Sequence, residues 1–296
     1  MGGAFTGVAD SLDAVYWNPA GLSQIGAFEV NSTLVTNWHY SNYDIYIAAG
    51  SPVKSGGLGI AFVYNKDHIM KLVSEDGREL GWLAHDTNYL QLSYGAYLIE
   101  DLNLAVGLSG KFIWSSLEAN INSGIDETLD DTSTVDLDAG IHWSFGPKVG
   151  MRTYRMFSMP EHKMFSIGCL VQNFLESELK FKKEGIILKH VENIRPGFSF
   201  RPDELSIISL ELYDITTQYF DEPQIRFGLE RWFGFGKGKK IMALRAGGYH
   251  VNNQENLKAY TFGLGWKFDN KVELAYTMLH WKEDNENTYF ITMNYW

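Results

Sequence analysis

The side chains able to do chemistry are thinly spread in this sequence. Asp136 and Asp138 stand two residues apart, so on a strand both carboxylates point the same way and could hold a cation; simple solvation is the more economical reading of such a pair. The eight histidines form no His-x-x-x-His pair, the spacing a metal hydrolase needs. Gly234-Phe235-Gly236-Lys237-Gly238-Lys239-Lys240 has the glycines of a phosphate loop but lacks the Gly-Lys-Ser/Thr ending and a following helix, so it reads as a basic turn. No Gly-x-Ser-x-Gly elbow is present to mark a serine nucleophile. The one cysteine, Cys169, can form no internal disulfide and reads as a small strand residue. The expectation is a protein that is not an enzyme, with no catalytic residue, no metal site and no cofactor.

The remaining charged groups gain meaning only from the elements that would carry them. Large apolar and small or polar residues alternate in segment after segment. In 257–268, Tyr260, Phe262, Leu264, Trp266 and Phe268 alternate with Ala259, Thr261, Gly263, Gly265 and Lys267. In 134–145, Val135, Leu137, Ala139, Ile141, Trp143 and Phe145 alternate with Thr134, Asp136, Asp138, Gly140, His142 and Ser144. The second face of these and similar segments collects Lys111, Asp136, Asp138, Glu211, Arg226, Glu230, Arg245, Lys267 and Glu273. A charge facing lipid costs about 2–4 kcal/mol at the membrane midplane, which assigns that face to a lumen. There the charges could line a polar path; the expectation preferred is a hydrated, paired network that fixes strand register and holds a plug.

Composition points the same way. Apolar residues make up 45% of the 296 and aromatics 15%, yet the mean hydropathy is −0.19, so apolar residues are interleaved with polar ones. No stretch approaches the ~18 uncharged apolar residues of a spanning helix. A net charge of −11 and a pI near 5.2 argue against a nucleic-acid partner.

The alternating runs predict fourteen strands at about 27–37, 42–50, 57–65, 87–99, 102–115, 133–145, 163–174, 191–201, 204–215, 223–234, 240–250, 257–268, 271–281 and 287–296. An even count suits an antiparallel transmembrane β-barrel in the bacterial outer membrane, in contact with membrane lipids. From a periplasmic N-terminus, the tight connections at 51–56, 100–101, 202–203, 235–239 and 269–270 fall on one side. The longer polar ones at 66–86, 116–132, 175–190 and 216–222 fall on the other, with 146–162 a long exception on the turn side. A soluble sandwich would put Lys and Glu on its polar face, whereas here Gly, Ala, Ser and Thr dominate it. Seven of nine tryptophans (Trp38, Trp114, Trp143, Trp232, Trp266, Trp281 and Trp296) fall near predicted strand ends, where an amphipathic ring suits the lipid–water boundary. The last strand carries Tyr289, Ile291, Met293 and Tyr295 on one face, which puts Trp296 on the other and leaves its outward face unassigned.

Residues 1–26 do not alternate. Gly2-Gly3-Ala4-Phe5 and Tyr16-Trp17-Asn18-Pro19-Ala20-Gly21 are small, turn-prone and aromatic, so a compact irregular knot is expected. The Asn-Pro-Ala-Gly motif resembles that of the N-terminal hatch of the FadL-like outer-membrane superfamily. Val171-Gln172-Asn173-Phe174, Asn193-Ile194-Arg195-Pro196-Gly197-Phe198 and Leu244-Arg245-Ala246-Gly247-Gly248-Tyr249 look like strands of its PorV-type branch. The resemblance implies a fourteen-strand barrel, 27–296, with residues 1–26 as a hatch in the lumen. Its hatch motif would be Gly2, Gly3, Phe5, Trp17, Asn18, Pro19, Ala20 and Gly21. FadL-type members pass fatty acids or other hydrophobic small molecules; PorV-type members serve protein secretion and surface attachment through a protein partner. The first expectation is a channel for a hydrophobic ligand, the second a secretion-system scaffold. Members carry a signal peptide and a short lead-in before the Gly-Gly-Ala-Phe run. None is visible here, so a truncated start is expected.

Overall fold

A computed structural model describes the chain apart from residue 1 and residues 38–41, 74–78, 122–126, 150–161, 183–184, 219–221, 235–240, 252–257, 269–270 and 283–285. Alternation over many short runs leaves sheet as the only way to satisfy the backbone, and closing the sheet removes its edges. Fourteen antiparallel strands do this: β1 (Glu29–Asn37), β2 (Asn42–Val53), β3 (Gly56–Val73), β4 (Glu79–Ile99), β5 (Leu104–Ile121), β6 (Glu127–Val149), β7 (His162–Gln172), β10 (Asn193–Phe200), β11 (Ser206–Tyr213), β12 (Gln224–Phe233), β13 (Met242–Val251), β14 (Lys258–Phe268), β15 (Val272–Trp281) and β16 (Glu286–Tyr295). Each pairs with its neighbour in order, and β1 closes on β16 through seven register pairs from Val30–Tyr295 to Thr36–Tyr289. The expected strand count and the all-β barrel hold. Among the described residues no helix is long and apolar enough to cross a membrane.

Outward positions form the apolar belt that the alternation requires: Leu92, Leu108 and Phe262 are 59, 66 and 58% exposed, with Phe112, Val135, Leu210, Phe227 and Ile291 among their companions. Inward positions are buried and small or polar. On β16 Ile291, Met293 and Tyr295 are exposed, while Asn294 bonds inward to Asn31 Nδ2 at 2.6 Å. That settles the outward face of the last strand.

The long-loop rim departs from expectation. The connections read as loops at 66–86 and 116–132 are largely strand, so β3 to β6 run 18, 21, 18 and 23 residues. A tilted spanning strand needs about 9–11 residues, so these four rise well beyond the belt as one sheet. The connection at 175–190 holds a separate hairpin, β8 (Glu178–Phe181) paired with β9 (Ile186–Lys189). Its Leu179 and Phe181 pack on the inward-facing Ile113 and Leu117 of β5. Alternation was weak in these regions because neither face meets lipid there. Most of the 146–162 connection and the basic run 235–240 lie outside the described residues.

Candidate functional site

Residues 1–26 fold as the irregular knot expected, with one short helix, α1 (Ala14–Trp17), and a 3-10 turn over Pro19–Gln24. Asn18 organises the junction. Its Oδ1 caps the turn by accepting from the Ala20 amide at 3.2 Å, and its Nδ2 donates to Thr6 O at 3.1 Å and to Ile141 O of β6 at 3.0 Å. Pro19 follows as the first residue of the turn, where its missing N–H costs nothing. Ala9, Leu12, Ala14, Val15, Leu22 and Ile25 form a small core with Ala48 and Ala61 of the wall.

The segment meets inward-facing groups all around the barrel, and much of the contact is backbone to backbone. Six wall glycines lie on six adjacent strands: Gly197, Gly168, Gly140, Gly107, Gly95 and Gly57. A Cβ built on any of them would fall within 2.6 Å of an atom of Thr6, Gly7, Asn18, Pro19, Ala20 or Leu22. The glycines are register partners in the runs Gly57–Gly95–Gly107–Gly140 and Gly168–Gly197. Only an absent side chain lets the two backbones approach so closely. Gly21 serves the same purpose within the segment, since its Cβ would fall 2.1 Å from Ala9 O.

Polar wall residues clamp the segment between the glycines. Gln91 donates to Val15 O at 2.7 Å, Ser166 to Gly7 O at 2.6 Å, and Glu29 accepts from the Leu12 amide at 3.0 Å. His142 Nε2 donates to Gly7 O at 3.2 Å. Gly2 N donates to Thr261 at 3.0 Å. Glu211 accepts from the Phe5 and Thr6 amides at 3.1 and 2.9 Å while its other oxygen takes two bonds from Arg195, at 2.9 and 2.5 Å. Arg195 and Glu211 are buried, and a buried pair of this kind persists because removing either partner strands the other. The Arg195 guanidinium lies between Trp17 and Tyr213, 4.7 and 4.9 Å from the ring centres; that of Arg226 lies over Tyr213 at 3.6 Å and Tyr249 at 5.3 Å. Rings and guanidiniums thus alternate across the lumen. Gly3 sits against the Arg226 side chain and Phe5 against Trp17.

The acids and bases read as lumenal do point inward, in three groups. Arg245 bridges Glu230 at 2.7 Å and Glu273 at 2.6 Å. Lys111 pairs with Asp138 at 2.7 Å. Asp136 accepts from the backbones of Leu137, Leu175 and Ser177 and from the Ser177 hydroxyl, while Asp138 accepts from Asn173 N. These two carboxylates therefore tie down the turn after β7 instead of forming a cation site. Among the described residues no group of three or more His, Cys, Asp or Glu is placed to hold a metal. Lys267 lies over the rings of Trp232 and Trp296, 5.2 and 4.1 Å from their centres. This corrects the tryptophan reading: Trp232 and Trp296 face inward and stack on cations, and Trp281 packs on inward Tyr249. Trp143 and Trp266 remain exposed on the outer face; Trp114 stands well inside the lengthened β5, and Trp38 is outside the described residues. The inward phase of Trp232 and Trp281 was already set by outward Leu229 and Phe233 on β12 and by Leu274 and Tyr276 on β15.

Below the segment, on the short-turn rim, lies a cavity of about 340 Å³ lined by Asp10, Asp13, Arg201, Glu230, Arg245 and Trp296 among others. Arg201 pairs with Asp10 at 2.5 Å. Burial pushes the Asp13 carboxyl up to about 6, against a smaller opposing effect from Ser11. Asp10, Asp13, Glu29, Arg195 and Arg201 were not singled out in the sequence; Glu29 and Arg195 sit on the inward phase of their strands and could have been, whereas Asp10 and Asp13 lie where no periodicity exists.

Comparison with known proteins completes the description. The family described as "Type IX secretion system membrane protein PorP/SprF" matches residues 77–295. No curated protein matches. Among solved structures, the CymD monoaromatic hydrocarbon channel superposes with a TM-score of 0.64 at 11% identity over 98% of this chain and 92% of its own. A Pseudomonas aeruginosa FadL homologue gives 0.62 at 9% identity over 100% and 98%. The P. putida toluene transporter TodX gives 0.60 at 12% identity over 96% and 92%. At such identities the likeness is one of fold alone, a FadL-like barrel; the closed fourteen-strand barrel and the match to a membrane-protein family together point to an integral outer-membrane protein.

Proposed function

Because the chain belongs to the PorP/SprF family of type IX secretion system membrane proteins, we propose that it serves secretion as a closed outer-membrane scaffold, holding a protein partner at its long-loop rim without enzymatic activity. In this reading residues 1–26 are the hatch and 27–296 the barrel. The observation that carries it is the glycine row. Six adjacent strands each present a glycine where residues 6–22 lie against the wall, a fit that supports a cork over a loosely held gate. The sheet of β3 to β6 beyond the apolar belt supplies the outward surface a partner would need.

The test shortens β5 and β6 to the Ser115–Thr132 pair and joins them by a two-residue turn. The scaffold reading expects a folded, non-conducting barrel that no longer co-purifies with secretion-system components. Retention of those components at wild-type stoichiometry would contradict it.

One observation favours a second reading, a channel for hydrophobic small molecules, as CymD, a monoaromatic hydrocarbon channel, and TodX, a toluene transporter, are described. The β10–β11 ladder has only four register pairs, Gly197–Phe200 against Ile208–Glu211. Pro196 has no N–H to continue it, and the next bond is Ile215 N to Ile194 O at 3.4 Å. That thin seam lies in front of Arg195 and Trp17, where a hydrophobic molecule could pass between lumen and lipid. Pro196→Val should close it; uptake of an aromatic hydrocarbon into proteoliposomes that is present in wild type and lost in this variant would favour the channel.

A further inference from the structure

We propose that the outer wall over β11 to β15 holds one zwitterionic, amine-bearing phospholipid, with an acyl chain in an apolar groove and the headgroup on the exposed pair of Arg231 and Asp203. The inference concerns the membrane and goes beyond both readings of the lumen and the rim. Leu229, Ala246 and Phe262 face outward side by side on β12, β13 and β14, and Arg231, Leu244 and Leu264 form the next outward row toward the short turns. Ala246 is small, while Leu229 and Phe262 on either side of it are 46 and 58% exposed, so the surface is dented between them. The dent opens into an apolar groove of about 780 Å³ that also takes in Ile208 of β11 and Met278 of β15. The four ladders beneath it run without a break, which makes it a hollow in the lipid-facing wall and not a passage to the lumen. An acyl chain is what the surrounding medium supplies to such a hollow; a peptide would have to bring unpaired backbone into hydrocarbon.

The headgroup follows from Arg231, which lines the short-turn end of the groove. It points to the outer face between Leu229 and Phe233 of its own strand, with Leu244 beside it across the ladder. Trp266, 40% exposed, lies one outward row nearer the turns, about 7 Å along the strand, at the depth an interfacial ring takes. The guanidinium is therefore set where headgroups meet hydrocarbon, a depth at which a lipid-facing cation is tolerated. Its Nη1 donates to Asp203 Oδ2 at 2.5 Å and to Ser206 Oγ, while Nε and Nη2 have no acceptor among the described residues. Asp203 also accepts from the Leu205 amide at 2.8 Å, and both charged side chains are nearly half exposed. The free edge of a guanidinium matches two oxygens of a phosphodiester, and the carboxylate next to it matches an ammonium. A headgroup with phosphate alone would meet Asp203 as a like charge. The pair thus selects a headgroup that carries both signs.

The experiment places the full chain in phosphatidylcholine nanodiscs that contain phosphatidylethanolamine and phosphatidylglycerol in equal minor amounts, and identifies by native mass spectrometry the lipid retained on release. One phosphatidylethanolamine per barrel is expected, at least tenfold over phosphatidylglycerol. Arg231→Gln should lower its retention at least tenfold. Ala246→Leu should do the same by filling the groove, although it leaves the headgroup pair and the lumen untouched. Asp203→Asn should reverse the preference toward phosphatidylglycerol, since the cation left behind suits an anion; a misfolded barrel would give no such reversal. Equal retention of all three lipids, unchanged in every variant, would mean an ordinary lipid shell and overturn the proposal. Retention that survives Ala246→Leu would overturn the groove, and a preference that survives Asp203→Asn would overturn the headgroup assignment. A dimer that holds no lipid and dissociates with Ala246→Leu would give this face to a second copy of the chain instead.

Discussion

Glu211→Leu should release the N-terminal segment. The glutamate accepts two bonds from Arg195 and one each from the Phe5 and Thr6 amides, all in buried surroundings. Its loss strands a buried guanidinium, at about 3–5 kcal/mol, and two amides, at about 1–3 kcal/mol each. The low ends together give about 5 kcal/mol, which at 1.36 kcal/mol per decade shifts the bound fraction by more than three powers of ten. Leucine fills the space, so the wall itself should still close. The assay pairs urea unfolding with ion conductance in planar bilayers: the variant should lose stability on this scale and gain conductance as the segment leaves. Removing both charges, Arg195→Leu with Glu211→Leu, strands only the amides and should recover most of the loss. If Glu211→Leu cost under about 1 kcal/mol and stayed closed, or if the double variant were worse than the single, the clamp assigned to this pair would be refuted.

Further outcomes follow from the same geometry. Gly140→Ala places a methyl 2.1 Å from Asn18 Oδ1 and should cost about 1–3 kcal/mol by overpacking, read as a lower urea midpoint; Gly110→Ala, whose Cβ would meet only Leu137 Cδ2 at 3.8 Å, should be silent. Arg245→Met should destabilise the barrel by several kcal/mol, since it leaves Glu230 and Glu273 both uncompensated, and Arg245→Lys should rescue it only in part because one ammonium cannot span both carboxylates. Asp13 supplies a pH test. Its carboxyl, pushed up to about 6 by burial, binds its proton more tightly folded than unfolded, so this group's stabilisation is present in acid and lost as pH rises from about 4 through 6. Asp13→Asn should flatten that part of the stability profile.

The barrel was legible because lipid imposes a period of two: Phe262, Leu264 and Trp266 could face only outward, and Arg245 and Glu230 only inward. Beyond the belt that constraint lapses. Thr128, Asp130 and Asp131 continue β6 without an apolar face, so the sequence there reads as loop although the ladder runs on to Ala119–Glu127. The β8–β9 hairpin was hidden for a related reason, its buried face amounting to Leu179 and Phe181 alone. In the site, the charges announced their side of the wall but not their partners. Arg245 proved to bridge two acids, Arg226 to lie between tyrosines, and Asp136 to hold a turn, because pairing depends on register between strands and not on the phase within one.

The glycine row bears on how the barrel assembles. Gly57, Gly95, Gly107 and Gly140 face one another across three ladders, and two places away on the same inner face stand Ser93 beside Gly95, Ser109 beside Gly107 and His142 beside Gly140. A strand slipped by two residues would keep its apolar face toward lipid and satisfy every backbone bond, an error that lipid alone cannot detect. It would also push a side chain into the place of Asn18 or Pro19. Residues 6–22 thus fit inside the closed sheet like a gauge, matched to one alignment of these strands and clashing with its neighbours.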